Sequence, residues 1–280
     1  MMPIVLSATD QVFLKGLLER AQQPRPEAWV PWYLRGIAEP LGWMAPERAQ
    51  CMSLNLPTEL PLVLEPQGWV WHADQASSDD RSRALQALAV RLRAQGEVVG
   101  WRDEPYACWG CPNEDWPYSR PELFRLERAA FRYFGLRSHA THVHGIRPDG
   151  RMWCGRRAMS KATDPGLLDN LAAGGLPAGE DPLQCALREI EEEAGLVRLA
   201  QDLQPLVCSV LTERQVPEGW HSERLFVWTL PMGMKDQPIN QDGEVSEFLN
   251  LDWPQVLQLD RKSTRLNSSH TDISRMPSSA

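Results

Sequence analysis

The chain has no long hydrophobic run, no excess of basic residues and few cysteines. None of its apolar stretches approaches the roughly 20 residues that cross a bilayer, and residues 1–20 lack the basic start and apolar centre of a signal peptide. The net charge of −8 argues against a basic surface of the kind that binds nucleic acid. We therefore expect a cytoplasmic protein that binds neither membranes nor nucleic acid.

Six cysteines among 280 residues are too few for a disulfide scaffold. Cys108 and Cys111 have the spacing of a redox or half-zinc site, but no second such pair accompanies them, so we interpret the pair as incidental. His142 and His144 share one face of a predicted strand. Because no third ligand is indicated near them, we interpret both as structural residues.

The first half of the chain predicts helices and strands in alternation. Helices are expected at residues 9–22, 77–96 and 122–136, and extended segments at 61–73 and 98–109. Short connections between such elements are typical of an α+β domain. We expect this N-terminal domain to span residues 1–125, with most of its tryptophans in the core.

The second half predicts a sheet. Residues 139–146 alternate like a strand, Asp149-Gly150 provides a turn, and residues 152–158 return as the partner strand. Apolar strands are also expected at residues 202–214 and 222–232. A domain of residues 126–259 would contain all of them.

Residues 174–196, GGLPAGEDPLQCALREIEEEAGL, predict one well-delimited helix. Asp181 is a suitable N-cap, Pro182 suits the first helical position, and Gly195 suits a left-handed C-cap. The apolar positions at helical spacing predict a buried stripe of Leu183, Leu187, Ile190 and Ala194.

The opposite face of this helix is acidic. Glu189, Glu192 and Glu193 are predicted to lie together and away from the apolar stripe, and Arg188 is placed to hold one of their carboxylates. Like charges at this spacing repel, at about 0.2–0.5 kcal/mol per pair, and a divalent cation reverses that repulsion. A solvated acidic helix on an acidic protein is the alternative that the helix alone leaves open.

The spacing of the whole segment resembles the Nudix box, and nine constrained positions are filled in register. These positions are Gly174, Glu180, Arg188, Glu189, Ile190, Glu192, Glu193, Gly195 and Leu196. The resemblance implies an α/β fold, namely a Nudix α/β/α sandwich with a mixed sheet, here preceded by a smaller α+β N-terminal domain. It also implies hydrolysis of a diphosphate with Mg²⁺ or Mn²⁺.

In that family, the residues that match Glu189, Glu192 and Glu193 bind metal, the residue that matches Gly174 belongs to the same set, and the arginine that matches Arg188 orients the glutamates. We expect a cation to activate water for attack at phosphorus. Glu189 and acids of a late loop compete for the role of general base.

Further candidates lie outside the box. Arg157 and Lys161 precede the acidic helix and could hold a diphosphate, although surface solubility would also explain them. Asp242, Glu244 and Glu247 lie on a late turn and strand. Many Nudix enzymes take an additional carboxylate from such a loop, so Glu244 or Glu247 is a candidate.

A second resemblance concerns the substrate. The segments WRDEPY (101–106), LERAAFRYFGL (126–136), HVHGI (142–146), SKATDPGLLDNLAAGG (160–175) and DGEVSEF (242–248) resemble a Nudix subgroup with an N-terminal domain of unknown function. This subgroup is related to the Nudix part fused to thiamine pyrophosphokinase in fungi. The resemblance implies hydrolysis of oxidised or damaged thiamine diphosphates to the monophosphate.

Other functions stay open at this point. A nucleoside-diphosphate-sugar or dinucleotide pyrophosphatase would use the same box, and a non-catalytic Nudix metabolite sensor would share the fold. The complete set of glutamates argues against the sensor. The expected partner is a small-molecule diphosphate, and a homodimer is possible.

Residues 260–280, DRKSTRLNSSHTDISRMPSSA, form a polar tail without periodicity. They resemble a translated sequencing adapter, with residues 260–270 and 274–280 matching its constant parts. We therefore expect the native sequence to be interrupted near Leu259 and the tail to be disordered.

Overall fold

The computed structural model covers most of the chain. It describes residues 7–58, 60–110, 114, 116–160, 165–206 and 208–270, and for residues 262–270 the backbone path alone. The helices are α1 (Ala8–Ala21), α2 (Pro46–Asn55), α3 (Ser78–Ala94), α4 (Arg128–Phe134), α5 (Pro182–Ala194) and α6 (Trp253–His270). The first six strands are β1 (Val30–Leu34), β2 (Gly42–Met44), β3 (Leu62–Glu65), β4 (Gly68–Trp71), β5 (Pro105–Cys108) and β6 (Phe124–Glu127). The others are β7 (Arg137–Ile146), β8 (Met152–Arg157), β9 (Leu168–Asp169), β10 (Ala172–Gly175), β11 (Cys208–Val216), β12 (Gly219–Pro231) and β13 (Val245–Leu251).

Strands β1 to β6 and helices α2 to α4 build an N-terminal unit around one hydrophobic core. Its four-stranded sheet has the order β2-β1-β4-β3, and β5 and β6 form a separate antiparallel pair. Trp32, Trp71 and Phe124 are almost fully buried in its centre. This mixture of helices and short strands agrees with the α+β organisation that the sequence predicts, and these tryptophans are core residues.

The third predicted helix is shorter than expected. The pattern of residues 122–136 predicts helix throughout, but Phe124–Glu127 forms β6, which pairs with β5, and helix α4 begins only at Arg128. Glu127 marks the change, because its side chain accepts a hydrogen bond from the Ala129 amide at the start of α4. The strand depends on β5, about 20 residues away in sequence, which a local helical pattern does not reveal.

A seven-stranded sheet forms the C-terminal unit. Its main path is β11-β12-β7-β8-β13, with β10 paired to β7 and β9 paired to β8. Strands β12 and β7 are parallel and their other neighbours are antiparallel, so the sheet is mixed, as predicted. Helix α5 covers one face, where Ala186 and Ile190 pack against Val143, Trp228 and Leu230.

Helix α1 packs on the C-terminal unit although it begins the chain. The Gln22 side chain donates to the Leu211 carbonyl of β11 at 3.0 Å, and the Gln23 amide donates to the Glu213 carbonyl at 2.7 Å. At its other end, Asp10 pairs with Arg261 of α6 at 2.6 Å. The first and last helices of the described chain are therefore neighbours.

The hydrophobic core does not divide at residues 125 and 126. Strand β6 crosses that position, and Phe131, Phe134 and Leu136 are buried in the core of the N-terminal unit. We therefore propose that this unit ends near residue 136. The sequence predicts disorder for residues 260–280, whereas the backbone of residues 260–270 continues helix α6 as far as His270. The non-native origin of the tail stays a prediction.

Among the helices of the described residues, none combines the length and the apolar character needed to cross a lipid bilayer.

Candidate active site

The acidic helix has the boundaries that the sequence predicts. The Asp181 carboxylate accepts hydrogen bonds from the Leu183 and Gln184 amides, both at 2.9 Å, and the Gln184 side chain accepts one from the Asp181 amide. This capping box satisfies amides that would otherwise lack partners at the helix start. Gly195 ends the helix in the left-handed region, at φ 65°.

The helix is rotated about its axis relative to the prediction. Ile190 and Ala194 are buried as expected, whereas Leu183 and Leu187 are only partly buried. Glu189 is expected to point away from the buried stripe, but only 9% of it is exposed. The small side chains of Cys185 and Ala186 allow close approach to the sheet, which explains why the buried face is centred there and not on the leucines.

Glu189 lies against strand β10. A Cβ atom built on Gly174 would overlap Glu189 Oε1 and lie 2.7 Å from Oε2, so only glycine leaves room for this carboxylate. Burial raises the pKa of Glu189, and the positive charge of Arg188 opposes that rise. The glycine at position 174 is therefore explained by the placement of Glu189.

Arg188 connects three carboxylates. Its Nε and Nη2 donate to Glu180 at 2.9–3.2 Å, and its Nη1 donates to Glu189 at 2.8 Å and to Glu192 at 2.9 Å. The planar guanidinium suits such multiple bonding better than an ammonium group would. The predicted orienting role of Arg188 agrees with these contacts, and they give Glu180 a role in holding Arg188.

Glu193 meets two acids of the late loop. Carboxylate oxygens of Glu193, Asp242 and Glu244 all lie within 4.8 Å of one another. The Ala173 amide of β10 donates to Glu193 Oε2 at 2.9 Å and fixes its direction. Burial raises the pKa of Glu193 to about 8, despite that hydrogen bond, and Glu189, Asp169 and Glu244 add to the rise.

The four predicted metal ligands do not form one cluster in the described residues. Glu193 is with the late-loop acids, Glu189 and Glu192 are bonded to Arg188, and Gly174 lies against Glu189. Whether Glu189, Glu192 and Gly174 bind metal stays a prediction. Asp242 lies on the late turn but is not among the site residues that the sequence predicts.

The predicted substrate-binding residues separate into two groups. Arg157 donates to Asp169 at 2.7 Å, and because Asp169 acts electrostatically on Glu193, Arg157 belongs to the surroundings of the acidic cluster. Glu247 lies on β13 and pairs with Arg156 of β8 at 2.6 Å. Of the two late candidates, Glu244 is therefore the one that reaches Glu193. Lys161 and Cys111 lie outside the described residues.

His142 and His144 lie on strand β7. The one group of potential metal ligands found among the described residues includes neither histidine, and the His142 ring bonds to the Asn170 side chain at 2.7 Å. The interpretation of both as structural residues stays a prediction.

Three carboxylates so close together fit a hard divalent cation. Mg²⁺ and Mn²⁺ prefer oxygen ligands, and a bound cation would oppose the burial and the neighbouring negative charges that raise the pKa of Glu193. The fold and this site define the class of protein. Its mixed sheet carries an acidic helix whose glutamates are held by an arginine, and this helix lies beside a cluster of carboxylates.

Comparison with known protein families identifies the two units. The model of the NUDIX domain matches residues 136–275, and the model of a domain of unknown function, DUF4743, matches residues 65–138. The chain therefore belongs to the Nudix family. The two matches meet near residue 136, where the hydrophobic core of the N-terminal unit ends.

Curated relatives agree with this assignment. The chain is 34% identical to Nudix hydrolase 24, chloroplastic, of Arabidopsis thaliana over 68% of its own length and 52% of that protein. It is 35% identical to Nudix hydrolase 20, chloroplastic, of the same plant, over 66% and 49%. An uncharacterized Nudix hydrolase of Pseudomonas aeruginosa is 34% identical over 39% and 56%. The chain thus spans about half the length of the curated relatives it matches.

Proposed function

We propose that this chain is a diphosphate hydrolase that works with Mg²⁺ or Mn²⁺. The observation that carries the proposal is the cluster of Glu193, Asp242 and Glu244, in which the acidic helix of a complete Nudix box meets the late loop. The Nudix assignment and the names of the curated relatives support the same chemistry. The proposed partner is a small-molecule diphosphate, and a homodimer stays a prediction.

The three clustered carboxylates are proposed to hold the cation, with Glu189 and Glu192 as further candidates. When bound, the cation would neutralise diphosphate oxygens and make a water molecule more nucleophilic. Arg157, whose guanidinium is bound to Asp169, is proposed to add positive charge beside an anionic substrate. Arg188 keeps Glu189 and Glu192 in fixed rotamers. Glu189 and Glu244 are the candidates for the general base.

Within this chemistry, we propose that the substrates are oxidised or damaged thiamine diphosphates, which would be cleaved to the monophosphate. The proposal of this substrate rests on the sequence resemblance to the subgroup. The DUF4743 match supports membership of a subgroup with such an N-terminal domain and carries no information on the substrate. Cytoplasmic location stays a prediction from the sequence. Two of the relatives are named as chloroplastic, and that location applies to those plant proteins.

A substrate panel tests the proposal. Thiamine, oxothiamine and oxythiamine diphosphates are compared with ADP-ribose and NADH, with Mg²⁺ or Mn²⁺, and the monophosphate products are quantified. We expect the oxidised thiamine diphosphates to have the highest kcat/KM. A preference for ADP-ribose or NADH would support the nucleotide alternative, and binding without turnover of any compound would support the sensor.

A further inference from the structure

The N-terminal unit touches the C-terminal unit at residues 174–180, which comprise the last two residues of β10 and the connection to α5 and are called the Nudix loop below. The Ala178 amide of this loop donates to the Pro105 carbonyl of β5 at 2.8 Å. The same loop contains Gly174, which packs on Glu189, and Glu180, which binds Arg188. A contact made to the loop is therefore one step from the groups that position the acidic helix.

The adjacent residue of β5, Tyr106, fits against the same loop. A Cβ atom built on Gly175 would overlap the Tyr106 hydroxyl oxygen and lie 2.8 Å from Cζ. Tyr106 is only 5% exposed, and burial raises the pKa of its hydroxyl well above the usual range, so the group is neutral. The second glycine of the Gly174-Gly175 pair is thus matched to a tyrosine of the other unit.

Tyr106 is itself held from several sides. Its ring meets Phe131 of α4 edge-to-face, with centroids 5.6 Å apart, and the Arg128 guanidinium lies 5.4 Å from the ring centroid. Arg128 also forms an ion pair with Glu104, which precedes β5. These contacts come from α4 and from the segment before β5, so the orientation of the tyrosine is fixed by groups outside the loop.

A buried carboxylate fixes the segment that leads into β5. Glu127 is 2% exposed, and its oxygens accept hydrogen bonds from the Arg102 amide at 3.0 Å and the Glu104 amide at 3.1 Å. The Ala129 amide donates to it at 3.2 Å. A buried carboxylate with three backbone donors is a strong local constraint. These hydrogen bonds connect the segment WRDEPY (101–106) to the segment LERAAF (126–131).

We propose that Tyr106 is a positioning residue for hydrolysis, and that Pro105 and Tyr106 together brace the Nudix loop. The brace keeps Gly174 and Gly175 at the distance that Glu189 requires, and it keeps Glu180 in place to bind Arg188. This inference rests on the proposed function, because the predicted consequence is a loss of turnover. It assigns the N-terminal unit a role in catalysis that does not require it to touch the substrate.

A double-mutant cycle between Tyr106 and Gly175 tests the brace. Gly175→Ala alone should lower kcat by about 10²-fold, because the new methyl group displaces the loop by about 1 Å, with a smaller change in KM. In a Tyr106→Ala background the space is free, so adding Gly175→Ala should lower kcat only about two- to threefold further. Purely additive effects would overturn the proposal.

The milder variant Tyr106→Phe guards against misfolding. It removes the hydroxyl oxygen that a Cβ at position 175 would overlap and leaves Cζ at 2.8 Å, so it should rescue Gly175→Ala partly. The matched control is Tyr133→Phe, which removes another tyrosine hydroxyl of the N-terminal unit, one that donates to the Arg48 carbonyl at 2.9 Å. This control should lose some thermal stability and keep the wild-type kcat.

Hydrogen exchange separates failure of the brace from failure of the proposed function. Tyr106→Ala should speed amide exchange in residues 174–180, and Tyr133→Phe should not. If the wild type turns over no diphosphate, the proposed function fails, while exchange still reports on the brace. If the wild type is active but exchange and kcat are unchanged in Tyr106→Ala, the brace fails and the proposed function stands.

Discussion

At the scale of single residues, Glu193 combines burial with a crowd of neighbouring negative charges. We predict that Glu193→Gln keeps the fold, because a glutamine oxygen can still accept the hydrogen bond from the Ala173 amide. The cation site loses a charged ligand, so kcat should fall by about 10²-fold or more. Phosphate release at saturating Mg²⁺ measures the effect.

The matched control is Glu191→Gln, an exposed residue of the same helix. It changes the net charge by the same amount and should leave kcat unchanged. Undiminished turnover of Glu193→Gln at saturating Mg²⁺ would contradict the assignment of Glu193 to the metal site.

Gly174 offers a second test at this scale. Gly174→Ala places a methyl group where the Glu189 carboxylate lies, so Glu189 must move and Arg188 loses one of its partners. We expect turnover to fall by about 10²-fold, the cost of a misplacement of about 1 Å. Gly233→Ala is the control, because the atoms nearest to its new methyl group would lie at 3.5 Å or more. Equal activity of the two variants would show that Glu189 tolerates displacement.

The sequence predicts which residues belong to the site better than it predicts where their side chains point. Spacing along the helix identifies Arg188 and Glu193, whose contacts fit the predicted roles. Spacing does not reveal that Glu189 is buried, because the rotation of a helix on a sheet depends on which side chains are small enough to pack there. Asp242 joins the cluster only in three dimensions, since a distant loop brings it to Glu193.

At the scale of elements, the cap of α5 has a measurable contribution. Asp181→Ala removes the acceptor for two amides, and we expect it to lower the free energy of unfolding by about 1 kcal/mol. Ser77→Ala, which removes the N-cap of α3, is the comparison, and its cost should be similar. Thermal denaturation measures both. A stability loss in Ser77→Ala alone would show that packing, and not the cap, fixes the start of α5.

Elements with strong end signals are predictable from the sequence and a paired strand is not. Helices α3 and α5 agree with their expected limits because an N-cap and a helix-ending glycine mark each of them. The prediction of helix at β6 is wrong, because its sequence is compatible with both states and only the pairing with β5 selects the strand.

At the scale of the whole molecule, two buried histidines predict sensitivity to acid. Burial lowers the pKa of His139 to about 3 and that of His221 to about 4. Below pH 6.5 the unfolded chain binds protons at these two positions that the folded chain does not, so their contribution to stability should fall as the pH falls from 6.5 towards 4. The raised pKa of Glu193 acts in the opposite sense, because there the folded chain binds the proton first. Each histidine contributes a slope of up to about 1.4 kcal/mol per pH unit.

Urea unfolding at several pH values measures this slope. Between pH 4 and 6.5, the slope of stability against pH should be smaller in His139→Gln than in the wild type by up to about 1.4 kcal/mol per pH unit, whatever the stability of the variant at pH 7. An unchanged slope would mean that His139 takes up its proton in the folded state.

The overall organisation is predictable in outline. The α/β class, the mixed sheet and the α+β N-terminal unit follow from periodicity and from the resemblance. The boundary between the two units cannot be predicted from composition. Helix α4 and Leu136 contribute buried apolar side chains, as do the segments before and after them. The packing of α1 on the C-terminal unit could not be predicted either, because it depends on contacts with β11, far away in the sequence.

The position of α1 has a consequence for biosynthesis. The partners in the hydrogen bond between Gln22 and Leu211 are 189 positions apart in the chain. On the ribosome, the first helix emerges long before the strand that receives it has been translated, and none of its residues is buried even in the finished fold. Docking of this helix therefore has to wait until strand β11 has been translated.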